Sequence, residues 1–230
     1  MDFFKTIFYQ PLFNALILFY KYLPGHDFGI AVIALTFLIR LILWPLTIQS
    51  IKSQKALSGF QSKVQEIQKK FKDDKDRQTK EMIELYQKEK INPFGGFFLI
   101  LIQLPILFAL YQVFWKGLQK EEIVYLYSFL RPIGEINPFF LGLINLSQAN
   151  IVLAVLAGIT QFFQSKMTIP SLKPQDKTSQ FSDIFQKQML YFFPIFTFLI
   201  LWKLPSAIAL YWIVTSLFSI FQQKFVLRNV

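Results

Sequence analysis

The chain has 230 residues, of which 53% are hydrophobic and 18% aromatic, with 28 phenylalanines. This composition is too apolar for a soluble domain of this length and indicates a membrane protein. The absence of cysteine excludes disulfides and cysteine metal sites, and a single histidine, His26, excludes multi-histidine metal sites. The formal charge of +10 indicates contact with anionic lipid or with RNA, without choosing between them.

Residues 1–27 predict a helix that lies in the membrane interface rather than across the membrane. The apolar stretch from Leu12 to Tyr20 is too short to span a bilayer, and Lys5 and Lys21 flank it. The stretch lacks a small-residue cleavage site, so no signal peptide is predicted. The alternative, a re-entrant or sixth segment, stays open.

Five later segments are apolar enough to predict membrane-spanning helices. The first contains one arginine, Arg40, and the third has a ragged start because polar residues interrupt it. The fourth and fifth are separated only by Lys203-Leu204-Pro205, which leaves room for nothing but a tight antiparallel hairpin. The predicted spans are residues 28–48, 94–114, 146–164, 189–202 and 206–221.

The predicted fold is therefore an all-α polytopic membrane protein with five transmembrane helices. Its orientation follows from the lysines and arginines in the loops. Residues 49–92, residues 165–187 and the tail after Phe221 carry seventeen of them, against six in the loops of the other side. We therefore expect the first set to be cytoplasmic, with the N-terminus outside and the C-terminus inside.

Residues 49–92 predict a cytoplasmic helical hairpin. An apolar stripe with 3-4-3-4 spacing runs along the first helix, and the acidic run at 73–76 offers N-cap oxygens to the second. The stripe also fits a connector that packs only on itself. However, long ordered loops usually have a function. The hairpin residues of interest are Leu57, Phe60, Val64, Ile67, Phe71, Asp74, Arg77, Leu85 and Tyr86.

Several motifs resemble, in order and spacing, those of the YidC/Oxa family of membrane protein insertases. They are DDKDR (73–77), EMIELY (81–86), EKINPFGG (89–96), QLPILFALY (103–111) and LPSAIALYW (204–212), ahead of Gln222-Gln223. Arg40, in TFLIR (36–40), occupies the place of the family's intramembrane arginine. The resemblance runs from about 28 to 228, and it assigns residues 28–230 to an insertase core.

The resemblance implies a five-helix core around a hydrophilic groove, open to the cytoplasm and to lipid and closed on the outside. It implies that the substrates are hydrophobic segments of nascent proteins, inserted alone or beside the Sec translocon. There is no large extracytoplasmic domain before the first matched span and no lipidation cysteine, so we expect a short bacterial form in the inner membrane. Only nine residues follow Phe221, so ribosome contact is expected through the two cytoplasmic loops.

The sequence contains no catalytic motif and no carboxylate within the predicted spans, so we expect neither enzyme activity nor a cofactor. Arg40 keeps its charge wherever it lies. At 1.5 Å per residue it would lie about 13 Å from the cytoplasmic end of its helix, where its charge could attract polar or acidic flanks of a substrate. The alternative is an arginine that merely extends toward lipid phosphates. The predicted groove residues are Arg40, Trp212, Gln161, Thr36, Gln103 and Thr215; Thr47, Gln49, Gln112, Thr160, Gln164, Ser216 and Ser219 are further candidates.

Two other classes of function stay open. A small transporter or channel would predict coupled carboxylates, inverted repeats or a continuous polar path, and the sequence shows none of these. A passive assembly scaffold would predict that Arg40→Ala has no effect. The partners that we expect for an insertase are nascent membrane proteins and an anionic lipid bilayer.

Overall fold

The computed structural model describes residues 3–89, 95–117, 119–168 and 180–228, and helices dominate it, in agreement with the predicted all-α class. A π-helical segment, Lys5–Tyr9, leads into α1, and two short antiparallel strands, β1 (Phe139–Phe140) and β2 (Ile144–Asn145), lie between α6 and α7. The helices are α1 (Gln10–Tyr22), α2 (Phe28–Ile42), α3 (Trp44–Gly59), α4 (Gln61–Lys70), α5 (Lys75–Lys88), α6 (Gly95–Lys116), α7 (Ile151–Thr168), α8 (Gln180–Leu201) and α9 (Ser206–Arg228).

Within these described ranges, α7 and α9 are long and apolar enough to cross a membrane, and the bent pair of α2 and α3 is a third candidate. The apolar parts of α6 and α8, Leu101–Lys116 and Leu190–Leu201, are shorter. By length and composition, the described helices therefore indicate a membrane protein with two or three spans. The arrangement of five spans stays a prediction.

The first predicted span, 28–48, is wrong as a single straight helix. Helix α2 ends at Ile42, and α3 begins at Trp44 after a bend of 63°. Pro45 is the physical reason, because proline lacks a backbone N–H and its ring collides with the carbonyl four residues earlier in a continuous helix. The side-chain amide of Gln222 in α9 donates to the carbonyl oxygen of Trp44 at 3.4 Å, so α9 contacts the bend directly.

The third predicted span begins later than expected, at Ile151 rather than at 146. Asn150 is the reason, because its Oδ1 accepts a hydrogen bond from the backbone N–H of Leu153 at 3.1 Å and caps α7. Residues 146–150, which the prediction included in the span, form a turn after β2 instead. The ends of two other helices also differ: α8 starts earlier than predicted, at Gln180, and α9 continues to Arg228.

Helices α4 and α5 form the predicted helical hairpin, running antiparallel. Lys63 near the start of α4 pairs with Glu89 at 2.9 Å, and the Gln78 amide donates to the Gln68 carbonyl at 3.0 Å near the turn. The predicted continuity of the first hairpin helix is wrong, since α3 ends at Gly59 and α4 starts two residues later. Glycine weakens a helix interior, so the apolar stripe is divided there.

The predicted N-cap is confirmed at Asp74, whose Oδ1 accepts a hydrogen bond from the Arg77 backbone N–H at 2.9 Å. The Arg77 guanidinium lies 5.3 Å from the ring centre of Phe71. The described residues of the apolar stripe are half-buried, and so are two apolar residues of α5. They are Phe60, Val64, Ile67 and Phe71 in the stripe, and Leu85 and Tyr86 in α5. The side chain of Leu57, hairpin residues 90–92 and residues 169–179 of the predicted second cytoplasmic loop lie outside the described part.

One end of the helix bundle is covered by α1 and residues 119–150, which we call the cap. Helix α1 packs on α2 and α6 and buries Phe13, Leu16 and Ile17. Asn14 ties it to the long loop, since its Nδ2 donates to the Tyr125 carbonyl at 2.9 Å and its Oδ1 accepts from the Tyr127 N–H at 2.7 Å. The predicted N-terminal helix thus exists and belongs to the packed core; its position at a membrane interface stays a prediction.

The cap also fixes the first turns of α2 and α9. The Asp27 carboxylate accepts hydrogen bonds from the backbone N–H groups of Ile30 and of Leu141 in the cap. The first two amides of α9 donate to carbonyls of the cap at 2.8 and 3.0 Å. These bonds satisfy amides that a helix start otherwise leaves without partners, so the two helices begin at fixed positions.

Candidate functional site

A cavity of about 200 Å³ lies between α2, α3, α6, α7 and α9, at the end of the bundle remote from the cap. Among the described residues ten line it; nine of these are polar, and one of the nine, Arg40, is charged. At roughly 30 Å³ per water molecule, the volume corresponds to about seven waters. We call it the polar cavity; its lining is Arg40, Thr47, Ser50, Ile51, Gln54, Gln103, Gln164, Thr168, Ser219 and Gln223.

Helical periodicity explains how these residues meet. Thr47, Ser50 and Gln54 are spaced by three and four residues and therefore share one face of α3. Each of α7 and α9 contributes a polar pair with i, i+4 spacing. Because the chain bends after α2, the polar face of α3 turns toward Arg40. The bend that the straight-helix prediction missed is what closes one wall of the polar cavity.

Arg40 is 7% exposed, and its Nη2 donates to the backbone carbonyl of Thr215 in α9 at 3.3 Å. Its Nε has no hydrogen-bond partner among the described residues, and none of their carboxylates lies within ion-pair distance. Burying a charge without a counter-charge is expensive unless dipoles or water solvate it. The polar lining supplies such dipoles, so the cavity is an environment in which Arg40 stays charged.

Three of the other predicted groove residues form hydrogen bonds between helices. The Gln103 amide in α6 donates to the hydroxyl of Tyr211 in α9 at 2.7 Å. The Trp212 indole N–H donates to Gln161 Oε1 at 2.9 Å and joins α9 to α7. Gln103 lines the polar cavity, whereas Trp212 and Gln161 are outside its lining.

The two predicted threonines have different surroundings. Thr36 is fully buried, and its hydroxyl donates to the Val32 carbonyl at 2.7 Å within the same helix. Thr215 offers its backbone carbonyl to Arg40. Neither threonine lines the polar cavity. The structure therefore brings Arg40 and Gln103 together in one cavity, and the other four predicted groove residues are outside its lining, although Thr215 contacts Arg40 through its backbone.

Sequence reasoning missed several lining residues that have a clear physical origin. Ser50 and Gln54 follow the apolar run, so the sequence assigned them to the cytoplasmic hairpin rather than to the groove. Thr168 falls in the predicted second loop in the same way, and Gln223 in the tail after the fifth predicted span. The i, i+3, i+7 spacing of Thr47, Ser50 and Gln54 was the available signal. The further candidates Thr47, Gln164 and Ser219 do line the cavity.

A family model described as "60Kd inner membrane protein" matches residues 18–230, nearly the whole chain. Curated relatives named "Membrane protein insertase YidC" are similar along almost the same length. The protein of Geobacter metallireducens is 33% identical over 221 residues, and that of Buchnera aphidicola subsp. Acyrthosiphon pisum is 36% identical over 222 residues. In both cases 96% of this chain is covered, which corresponds to 37% of the relative's length.

Proposed function

Because the chain belongs to the 60Kd inner membrane protein family, we propose that it acts as a membrane protein insertase and chaperone. In this proposal it transfers hydrophobic segments of nascent proteins from the cytoplasm into the bilayer, without covalent catalysis and without a cofactor. The relatives that carry the name are much longer than this chain, which spans 37% of their length. The activity is therefore proposed for the segment that they share.

The observation that carries the proposal is the buried guanidinium of Arg40 in a polar cavity. A polar substrate flank must cross the hydrocarbon layer of the bilayer to reach the outer side. A water-filled cavity reduces the thickness of hydrocarbon that the flank has to cross. A fixed positive charge would attract an acidic flank into that cavity. Since Arg40 has no carboxylate partner in the described part of the chain, its charge is not already neutralised by an ion pair.

We further propose five spans, with the N-terminus outside, the cap on the outer face and the C-terminus in the cytoplasm. The charge distribution of the loops supports this orientation. With α3 inclined by 63°, Arg40 would lie about 9 Å from the cytoplasmic end of the span at Gln49, rather than the 13 Å of a straight helix. The groove charge is then shallower than predicted, and a substrate flank needs less travel to meet it.

The helical hairpin would face the cytoplasm in this orientation. Its exposed surface is rich in lysine and therefore suits contact with anionic lipid head groups or with the RNA of a ribosome. The ribosome and the Sec translocon are accordingly proposed as partners, in addition to the nascent membrane proteins themselves.

The test is insertion of a short single-span protein with an acidic translocated flank into proteoliposomes. We expect the unchanged chain to insert it, Arg40→Ala to lose most of the activity, and Arg40→Lys to keep a substantial part, because a positive charge in the cavity attracts the flank. Protease protection of the flank inside the vesicles measures insertion.

The control is a substrate of the same length whose flank carries no acidic residue. It should depend much less on Arg40, since attraction of opposite charges is then absent. Equal activity of Arg40→Ala on the acidic substrate would contradict the proposed role of the charge and favour a scaffold. No insertion by the unchanged chain would contradict the insertase proposal itself.

A further inference from the structure

Two residues that line the polar cavity have side-chain donors without a hydrogen-bond partner in the described part of the protein. Arg40 Nε and the hydroxyl of Ser50 are both buried, and neither has a hydrogen-bond partner among the described residues. Ser50 is 3% exposed and lies on α3, whereas Arg40 comes from α2. Buried polar groups normally find partners, and those that do not often point to a ligand or an ion.

The other polar groups of the lining are neutral and largely committed. Hydrogen bonds within the chain already use the Thr47 and Ser219 hydroxyls and the Gln223 amide. No aspartate or glutamate of the described ranges lines the cavity. The lining therefore combines one guanidinium with hydroxyl and amide groups, which is the chemistry of an anion receptor rather than of a cation site.

We propose that the polar cavity binds a phosphate group, held by Arg40 and Ser50 and supplied by an anionic lipid head group or by free phosphate. A guanidinium offers a planar fork of N–H donors that matches two oxygens of an oxyanion. A tetrahedral phosphate has further oxygens outside that plane for a donor on another helix. Ser50 is such a donor.

The lipid source depends on the proposed function, because only that orientation brings the cavity close to the phosphates of the inner leaflet. A bound phosphate would then occupy the place of an acidic substrate flank between insertion events. It would neutralise Arg40 at rest and leave when a flank of like charge competes for the same donors.

The experiment is calorimetric titration of the full chain in dodecyl maltoside, which carries no phosphate. One arm uses inorganic phosphate and the other dihexanoyl phosphatidylglycerol. We expect saturable binding in at least one arm. Ser50→Ala should weaken it by about tenfold, the usual effect of losing a hydrogen bond to a charged group, and Arg40→Gln should abolish it.

Two matched variants control for general effects. Lys52→Ala removes an exposed cation from α3, and Ser53→Ala removes a hydroxyl from the same helix; neither residue lines the cavity. Both should bind within about twofold of the unchanged chain. If Arg40→Gln does not fold, the comparison of Ser50→Ala with Ser53→Ala still decides the matter.

Each result has a definite meaning. Binding of phosphatidylglycerol alone supports a lipid source, binding of inorganic phosphate alone supports a soluble one, and binding of both supports the shared chemistry. No saturable binding, or equal binding by Ser50→Ala, overturns the proposal and leaves water as the partner of Arg40. Insertion activity without phosphate binding would remove this inference alone, whereas binding without insertion would remove the insertase proposal alone.

Discussion

Gly29, at the start of α2, shows how closely one residue can be constrained by a distant one. A Cβ at this position would overlap the ring of Phe140 in β1, so the strand pair approaches α2 to a distance that only a hydrogen side chain permits. The contact locks the cap onto the same helix that carries Arg40. Glycine is therefore required at position 29 by close packing rather than by an unusual backbone angle.

We predict that Gly29→Ala destabilises the protein by about 1–3 kcal/mol, the usual range for overpacking a core. The measurement is the thermal unfolding midpoint in detergent. Gly134→Ala is the matched control, because a Cβ there meets no atom within 4 Å. Adding Phe140→Ala to Gly29→Ala should recover part of the loss, since the two positions share one contact. Equal stability of Gly29→Ala and Gly134→Ala would contradict the packing argument.

Single residues were predictable from the sequence where their chemistry is local. Arg40 stands out in an apolar run because a charge there needs a polar environment, and Asp74 is a cap because of its place before a helix. Ser50 and Asn14 were not predictable in the same way. Their roles depend on partners contributed by other helices or by a loop more than a hundred residues away, which no local pattern reveals.

At the scale of elements, the bend between α2 and α3 has the largest effect on the site. Apolarity alone predicts one long span, because hydropathy does not register the direction of a helix axis. Pro45 was visible in the sequence, but a proline can kink a span or end it, and tertiary contacts select between these outcomes. Here α3 packs along α6 and α9 and supplies four of the residues that line the polar cavity with Arg40.

The hairpin offers a test of a single capping bond. We predict that Asp74→Ala destabilises the start of α5 by about 1 kcal/mol, because the Arg77 amide loses its acceptor. Amide hydrogen exchange in the first turn should accelerate by about fivefold.

Asp76→Ala is the matched control for this prediction. It removes an acidic residue from the same turn, but the cap hydrogen bond comes from Asp74. Only the smaller interaction with the helix dipole should be lost, so exchange should change much less. Similar acceleration in both variants would mean that charge, rather than the cap hydrogen bond, stabilises this helix start.

For the whole molecule, orientation is the property that the loop charges predict most directly. The chain has no cysteine, so single cysteines report accessibility without background. We predict that Ala149→Cys in the cap reacts with a membrane-impermeant maleimide in intact cells. Lys75→Cys in the hairpin and Arg228→Cys at the end of α9 should react only after permeabilisation. Reaction of Lys75→Cys in intact cells would contradict the orientation, and different sides for residues 75 and 228 would contradict the number of spans between them.

The packing of α1 against a distant loop affects the folding of the chain during its synthesis. Asn14 is bonded to residues 111 and 113 positions further along. At roughly 5–20 residues per second, the ribosome needs about 6–22 s to add that length. During this interval α1 can already pack on α2, but its contacts with the loop are missing, so lipid or another protein must cover that part of its surface. In the proposed orientation the loop must also cross the membrane before it reaches α1, so biogenesis of this chain should be slowest where that loop is delayed.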